Sequence, residues 1–341
     1  MKKVVYLGGF FQCEFSMQKS FSENGAEIVF LIDTGTYAKD YWNTPLYSNY
    51  DRSYSFIKVV PENRLMEFIK EFKPDVIIHR HWMFRPVMHL NSFPIARKLG
   101  IPFVHLEMET MGPGESLGQL TMVDCDIFLY AHDCIDFVTD QLVKMKIRPH
   151  FYSYGVSNFE RGLLNVPKDR EIGGFGHPRF EETTRVDNLN MFLEGLSKIG
   201  KKMHIYGDWN FNPWLKNYEF LEKHLRYNLE DATIVMNHHK IAINFETLPG
   251  VEGAYSHKMF QTIGCGIPTL THYKLSLLNM FYRSPNPIFV RNSDEVASTI
   301  SSLISNEKEI KRIGEGGEKY IHENFDWFQR FDKIMKEEGI W

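Results

Sequence analysis

Short apolar runs that end in polar residues or glycine alternate with amphipathic stretches along the whole chain, and this alternation constrains the fold most. In the first half the apolar runs are VVYLG, EIVFLID, DVIIHRH, PFVHLEME and DIFLYAHD. Segments between them, such as Glu62–Phe72, carry apolar residues at helical spacing. Buried strands separated by helices are typical of a parallel α/β sheet. We therefore predict a doubly wound α/β architecture.

The alternation stops once, after His150, where FYSYGVSNFERGLLNVPKDR mixes glycine, proline, asparagine and charge without a sustained period. Such a stretch is typical of a linker. The alternation restarts with EIGGFG, KKMHIYG, IAINFE, IPTLTH and PIFVR, and a further helix is predicted near Trp214–Arg226. Because 341 residues is long for one domain, we predict two Rossmann-like domains, residues 1–157 and 171–322, with a linker at 158–170.

Ligands of doubly wound sheets bind outside the carboxyl ends of the strands. For two facing domains of this kind, we expect the site in the cleft between them.

Composition narrows the possible partners and the compartment. The formal net charge is −4, so the chain lacks the overall positive charge on which non-specific binding of polyanions relies. The 4 cysteines, Cys13, Cys125, Cys134 and Cys265, show no CxxC spacing, which argues against a zinc site and against a disulfide framework. No run approaches the roughly 18 apolar residues of a membrane span. We expect a cytoplasmic protein without a membrane span.

A glycine-rich turn, GGFGHPRFEETTR, leads from a predicted strand into a predicted helix. Gly174 and Gly176 would let backbone N–H groups approach a phosphate at the helix N-terminus, and Arg179 or Arg185 would add a charged contact. An ordinary turn between a strand and a helix explains the same residues. The loop alone therefore does not distinguish a phosphate site from such a turn.

A second constellation lies in INFETLPGVEGAYSHKMFQTIGCGIPTLTH, where a loop precedes a helix opened by Ser256, His257 and Lys258. Ser256 can cap this helix and also donate to an anion at the helix N-terminus. This segment resembles the donor-binding region of GT-B glycosyltransferases, with MFQTIGCGIP standing where that group has a pattern like FEAxAxGxP.

Most of residues 150–335 resemble the group 1 glycosyltransferases, particularly their CgeB-like branch, whereas the first 150 residues share only the architecture. The resemblance is carried by SYGVSNFERG, EIGGFGHPRFEETTR, MHIYGDW and GEKYIHENFDWFQRFDKIM. It implies a GT-B fold, with a terminal helix at 323–341 that packs back toward the first domain. It also implies a hexosyl- or pentosyltransferase that uses a nucleotide-diphosphate sugar, with a UDP-sugar as the expected donor, and that needs no metal or other cofactor.

The resemblance also implies the donor contacts. The diphosphate would meet the glycine loop, Arg179 or Arg185, and the helix start at 256–258, while the base would lie near Tyr206, Gly207 and Asp208. Gln261 stands where the family usually has a glutamate that grips the ribose hydroxyls. Its amide can accept one hydrogen bond there but lacks the charge.

An inverting transfer needs a general base, expected at the strand ends of the first domain. The candidates are His81, Glu107, Glu109 and His132, and the Glu107–Glu109 pair is preferred because a glycine–proline turn follows it. For the acceptor we predict contacts from four positions: Gly8, Gly9, His79 and Arg85. DCD at 124–126 has the DxD form of metal-dependent glycosyltransferases, but it leads into a strand of what the resemblance makes the acceptor domain of a metal-independent fold. The pair His238–His239 lacks a carboxylate or cysteine at ligand spacing, so we predict no metal ligands.

The expected acceptor is a glycan or a small molecule. An alternative is a hydroxymethylated pyrimidine in DNA, since KMKIRPH and RHWMFR are local basic clusters, although solvated surfaces explain them as well. Two further alternatives are a non-catalytic subunit that binds a nucleotide sugar and a nucleotide-sugar 2-epimerase.

Overall fold

The computed structural model describes residues 1–8, 12–33, 55–80, 88–108, 125–131, 142–175, 183–206, 218–224, 231–245 and 252–341. It divides the chain into two compact units. The first comprises 1–153 together with 327–341, and the second comprises 154–326. The stretch at 158–170 lies in the second unit, where Leu163 N–H donates to Asn237 Oδ1 at 2.9 Å.

The described strands of the first unit form one parallel sheet in the order β3-β2-β1-β4-β5-β6-β7. Their bounds are β1 (Lys3–Leu7), β2 (Glu27–Asp33), β3 (Ile57–Val60), β4 (Val76–Arg80), β5 (Phe103–Glu107), β6 (Ile127–Tyr130) and β7 (Arg148–Phe151). The helices described before the second unit are α1 (Gln12–Glu23), α2 (Leu65–Phe72) and α3 (Met88–Leu99). Leu65 and Ile69 of α2 pack with Val5 and Ile77 in a core on one face of this sheet.

The described strands of the second unit form a second parallel sheet in the order β10-β9-β8-β11-β12-β13. Their bounds are β8 (Arg170–Phe175), β9 (Met203–Tyr206), β10 (Leu221–His224), β11 (His239–Asn244), β12 (Thr269–His272) and β13 (Ile288–Val290). The helices are α4 (Thr183–Ile199), α5 (Ala232–Asn237), α6 (His257–Gly264), α7 (Leu275–Met280), α8 (Ser293–Ile304) and α9 (Glu307–Asn324).

The last helix, α10 (Trp327–Glu337), belongs to the first unit, where it packs against α1. Its buried face consists of Trp327, Phe328, Phe331, Ile334 and Met335. These residues recur at helical spacing, which explains why this segment forms an amphipathic helix.

The predicted parallel α/β architecture is confirmed, but one predicted element is wrong. Residues 221–224 form the edge strand β10, not the helix expected near Trp214–Arg226. Leu221 pairs in register with Met203 and is buried, whereas Glu222 stands opposite His204. Backbone pairing with β9 determines that these residues form a strand. The hydrophobic periodicity of a four-residue segment is too short to specify either a helix or a strand.

Candidate functional site

The strand order of the second sheet reverses between β8 and β11. The last residues of these strands, Phe175 and Asn244, are partners in register. In open α/β sheets the ligand crevice lies outside the carboxyl ends of the strands at such a switch point. The first sheet has an equivalent reversal between β1 and β4.

The start of helix α6 is the feature of the second unit best suited to an anion. Ser256 is its N-cap residue, with extended backbone, and its side chain makes no capping hydrogen bond. The first turn contains Lys258 and no acidic residue. Because the N-terminus of a helix carries partial positive charge, a lysine there is unfavourable unless an anion binds nearby.

Two other helices of the same unit are capped in the ordinary way. Asn292 and Asn306 accept hydrogen bonds from the N–H groups of Glu295 and Glu309 at 2.9 and 3.1 Å. Acidic residues occupy the first turns of both helices, α8 and α9. Helices α5 and α7 share with α6 the lack of a side-chain cap and of acidic residues in the first turn, and of these three helices α6 alone has a lysine in its first turn.

Gln261 is fully buried, its Nε2 donates to Glu160 Oε1 at 3.1 Å, and its Oε1 accepts from Lys258 Nζ at 3.3 Å. Both ends of the amide are thus hydrogen-bonded within the second unit, and the contact of Gln261 with ribose hydroxyls stays a prediction. The same bonds position the ammonium group of Lys258 in the first turn of α6.

Glu160 was missed by the sequence analysis. Its Oε2 accepts from both the backbone N–H and the hydroxyl of Ser157, at 2.9 and 2.8 Å. The S-x-x-E spacing of SNFE could have indicated this local pair. Its bond to Gln261 crosses 101 positions and has no sequence signature.

Gly174 lies inside β8 and not in a loop. A Cβ at this position would come within 2.8 Å of the Phe245 ring and 3.0 Å of Ile205. The glycine therefore makes room for Phe245 at the end of β11, which corrects its predicted place in a phosphate loop.

Tyr206 ends β9 and is buried, with its ring stacked on Phe175 at 5.3 Å. Its hydroxyl contacts Arg170 and lies 3.2 Å from His239 Nε2. Burial raises the pKa of this phenol. His257 opens α6 with its ring 5.4 Å from that of Tyr154.

In the first unit, Glu107 is the last residue of β5, as the general-base prediction requires. Its Oε2 lies 3.6 Å from His105 Nε2, and His105 Nδ1 lies 3.2 Å from His79 Nδ1. His79 is buried within β4, which continues to Arg80. His79 stands one residue before the end of β4, and its acceptor contact stays a prediction.

Gly8 follows β1, and a Cβ there would lie 3.1 Å from Cβ of Arg80. Next to it is a buried ion pair that the sequence analysis missed, between Arg80 and Glu14. Glu14 also accepts from the Tyr6 hydroxyl at 3.0 Å and the Cys13 thiol at 2.8 Å. Burial raises the pKa of Tyr6, so this group stays protonated and donates to Glu14.

Several predicted positions lie outside the described residues: Gly9, His81, Arg85, Glu109, His132, Gly176, Arg179, Gly207 and Asp208. Arg185 lies in the first turn of α4, where the backbone alone is described.

Two parallel doubly wound units, each with a reversal of strand order, define the class of fold. It resembles that of the GT-B glycosyltransferases. Within the described ranges, every helix is too short or too polar to cross a bilayer.

The family described as "Glycosyl transferase-like" matches residues 184–336, a segment that includes α6. The sequence matches no curated protein.

Several solved structures are similar in fold. Sucrose-phosphate synthase from Thermosynechococcus elongatus is 10% identical over 99% of both chains, with a TM-score of 0.66. HepE from Anabaena, solved with UDP and glucose, is 10% identical over 100% of both chains, also with a TM-score of 0.66. A glycosyltransferase from Rickettsia africae is 13% identical over 98% of both chains, with a TM-score of 0.63.

Proposed function

We propose that this protein is a glycosyltransferase that transfers a sugar from a nucleoside-diphosphate sugar to an acceptor hydroxyl, without a metal ion at the reacting atoms. A UDP-sugar is the favoured donor, since HepE was solved with UDP and glucose. The single observation that carries the proposal is the start of α6, which lies within the segment matched by the glycosyltransferase-like family.

The chemistry fits this helix start. Transfer breaks the bond between the anomeric carbon and the diphosphate oxygen, and negative charge builds on the leaving diphosphate. Lys258 and the first N–H groups of α6 can stabilise that charge, as preorganised donors and dipoles do in transferase sites. His257, Gly176, Arg179 and Arg185 complete the diphosphate contacts in this proposal, and Gly207 and Asp208 contact the base.

For the base that removes the acceptor proton in an inverting transfer, we propose Glu107. It is a carboxylate at the carboxyl end of a strand, and His105 beside it limits the positions that its side chain can take. Glu109, His81 and His132 are the alternatives that a variant series would compare with it.

The first experiment is calorimetric titration of the full-length protein with UDP, together with its melting temperature with and without UDP. A ligand at about 100 times its dissociation constant adds about 2.7 kcal/mol to the free energy of unfolding. We expect UDP to bind and stabilise the wild type, and Lys258→Ala to abolish both effects.

Lys308→Ala is the matched control, because Lys308 occupies the same second position in helix α9. Equal UDP binding by Lys258→Ala and the wild type would remove α6 from the proposal. The absence of any nucleotide binding by the wild type would favour a protein without transferase activity.

The acceptor is then sought with the bound donor and mass detection of products. A sugar added to a glycan or small molecule supports the favoured acceptor class, whereas a sugar added to DNA carrying hydroxymethylated pyrimidines supports the alternative. Release of an epimerised sugar nucleotide or its elimination product, without any acceptor, would assign the chain to the 2-epimerases. Membership of the CgeB-like branch stays a proposal based on the sequence motifs.

A further inference from the structure

Three metal-ligating side chains meet at the edge of the second sheet. His204 lies on β9, and Glu222 and His224 lie on β10, with Glu222 and His204 partners in register. Residues in register on adjacent parallel strands, and residues two apart on one strand, face the same side of a sheet. One ligand atom from each residue lies within 4.8 Å of the other two.

The individual distances match those of a coordination shell. His204 Nδ1 lies 2.9 Å from His224 Nε2 and 3.3 Å from Glu222 Oε2. With Zn–N and Zn–O bonds of about 2.0–2.2 Å, tetrahedral ligands lie about 3.3–3.5 Å apart. A shift of a few tenths of an ångström in the two imidazoles would admit the ion.

The rings are already oriented by stacking. The His224 ring is stacked on His204 at 5.2 Å and on Tyr206 at 4.8 Å. Lys202 Nζ donates to Glu222 Oε1 at 2.9 Å, while Oε2 of the same carboxylate is the oxygen nearest His204. Partners outside the ligand shell that fix ligand orientation in this way are typical of metal sites.

The 2.9 Å contact between His204 Nδ1 and His224 Nε2 is a hydrogen bond in which one imidazole donates to the other. Binding of an ion at both atoms therefore requires this proton to move to the other nitrogen of its ring.

We propose that His204, Glu222 and His224 bind one zinc ion, which fastens the edge strand β10 to β9. Two imidazoles and one carboxylate are a donor set that suits zinc, whereas calcium and magnesium prefer oxygen ligands alone. Water completes the coordination. The proposal holds whether or not the chain transfers sugars.

The sequence pattern predicted no metal ligands. His204 is separated by 18 and 20 positions from Glu222 and His224, and neither spacing corresponds to a zinc motif. Register between β9 and β10 brings them together.

The test uses the full-length protein without an affinity tag, stripped with a chelator and then dialysed. Calorimetric titration with zinc chloride is expected to show one equivalent bound, and the melting temperature is expected to rise on binding. His224→Gln and Glu222→Gln should each weaken binding by more than the roughly 10- to 100-fold that loss of an outer partner costs. Melting of each variant without zinc establishes that it folds.

His238→Gln is the matched control, because His238 forms another histidine–carboxylate pair in the same unit, with Nδ1 3.0 Å from Asp169 Oδ1. It should bind zinc as the wild type does. The proposal is overturned if the wild type binds no zinc, or if His224→Gln and Glu222→Gln bind it with unchanged affinity. Substitution by cobalt(II) gives an independent readout, since a visible absorption band of four-coordinate type should appear in the wild type and vanish in His224→Gln.

Discussion

Trp327 donates its indole N–H to the hydroxyl of Ser16 at 3.1 Å, although 311 positions separate the two residues. The carbonyl of Trp327 accepts from the Tyr152 hydroxyl at 2.6 Å, and Phe328 N–H donates to Ser20 at 2.8 Å. Trp327 is fully buried. These bonds hold α10 on α1, so the last helix is part of the core of the first unit.

Trp327→Ala should therefore destabilise the first unit strongly. Replacing a buried tryptophan by alanine costs about 3–5 kcal/mol, and here the hydrogen bond to Ser16 is lost as well. Denaturant unfolding measures the change in the free energy of unfolding. Lys333→Ala, an exposed position on the same helix that forms a surface ion pair with Glu337, should change it by about 0.5 kcal/mol or less. Equal stability of the two variants would contradict the assignment of α10 to the core.

The fold was largely predictable, because strands buried on both faces must be apolar along their length. Val4, Val5 and Leu7 of β1 and Ile77 of β4 are fully buried, as their letters indicated. Strand β10 was not predictable, because the alternation of apolar and polar residues over four positions is too short to indicate a strand.

The candidate site was predictable only in part. The helix start at Ser256 and Lys258 was predictable, because a helix start is encoded by adjacent residues. The bonds of Glu160 with Gln261 and of Glu14 with Arg80 join residues 101 and 66 positions apart. Such contacts depend on register and packing, which no local pattern in one sequence specifies.

Gly174→Ala tests whether this glycine serves packing. The added methyl group would meet the Phe245 ring and Ile205 in a buried strand, and overpacking of this kind costs about 1–3 kcal/mol. The variant should show a lower melting temperature with or without UDP. An unchanged melting temperature combined with lost UDP binding would instead restore Gly174 to the phosphate site.

Glu107→Gln tests the proposed base once a donor and an acceptor are known. Loss of a general base typically lowers the rate about 10²- to 10⁴-fold, so kcat should fall in this range while UDP affinity stays unchanged. Glu27→Gln is the control, because Glu27 lies at the amino end of β2 in the same sheet. A variant with full kcat would transfer the assignment to Glu109, His81 or His132.

The side chain of His322 should make the free energy of unfolding depend on pH. Its Nε2 lies 2.6 Å from the carbonyl oxygen of Glu160, and burial lowers the pKa of its imidazole. The unfolded chain, with a histidine pKa of about 6.5, then binds more protons than the folded one below that pH. The free energy of unfolding should fall as pH drops from 7 toward 5, by at most about 1.4 kcal/mol per pH unit from this group.

The measurement is denaturant unfolding at several pH values for the wild type and for His322→Gln, which retains a donor but does not titrate. The variant should lose less stability than the wild type over this range. An equal or steeper loss in the variant would show that His322 does not contribute to the pH dependence.

The return of α10 to the first unit has a consequence for the order of folding during synthesis. Residues 154–326 form a continuous unit, which leaves the ribosome complete before α10 is available. The first unit has all of its strands by then but must wait for Trp327 and the residues after it to close the aromatic core beside α1. A released chain that ends at residue 326 should therefore have a protease-resistant second unit and a protease-sensitive first unit.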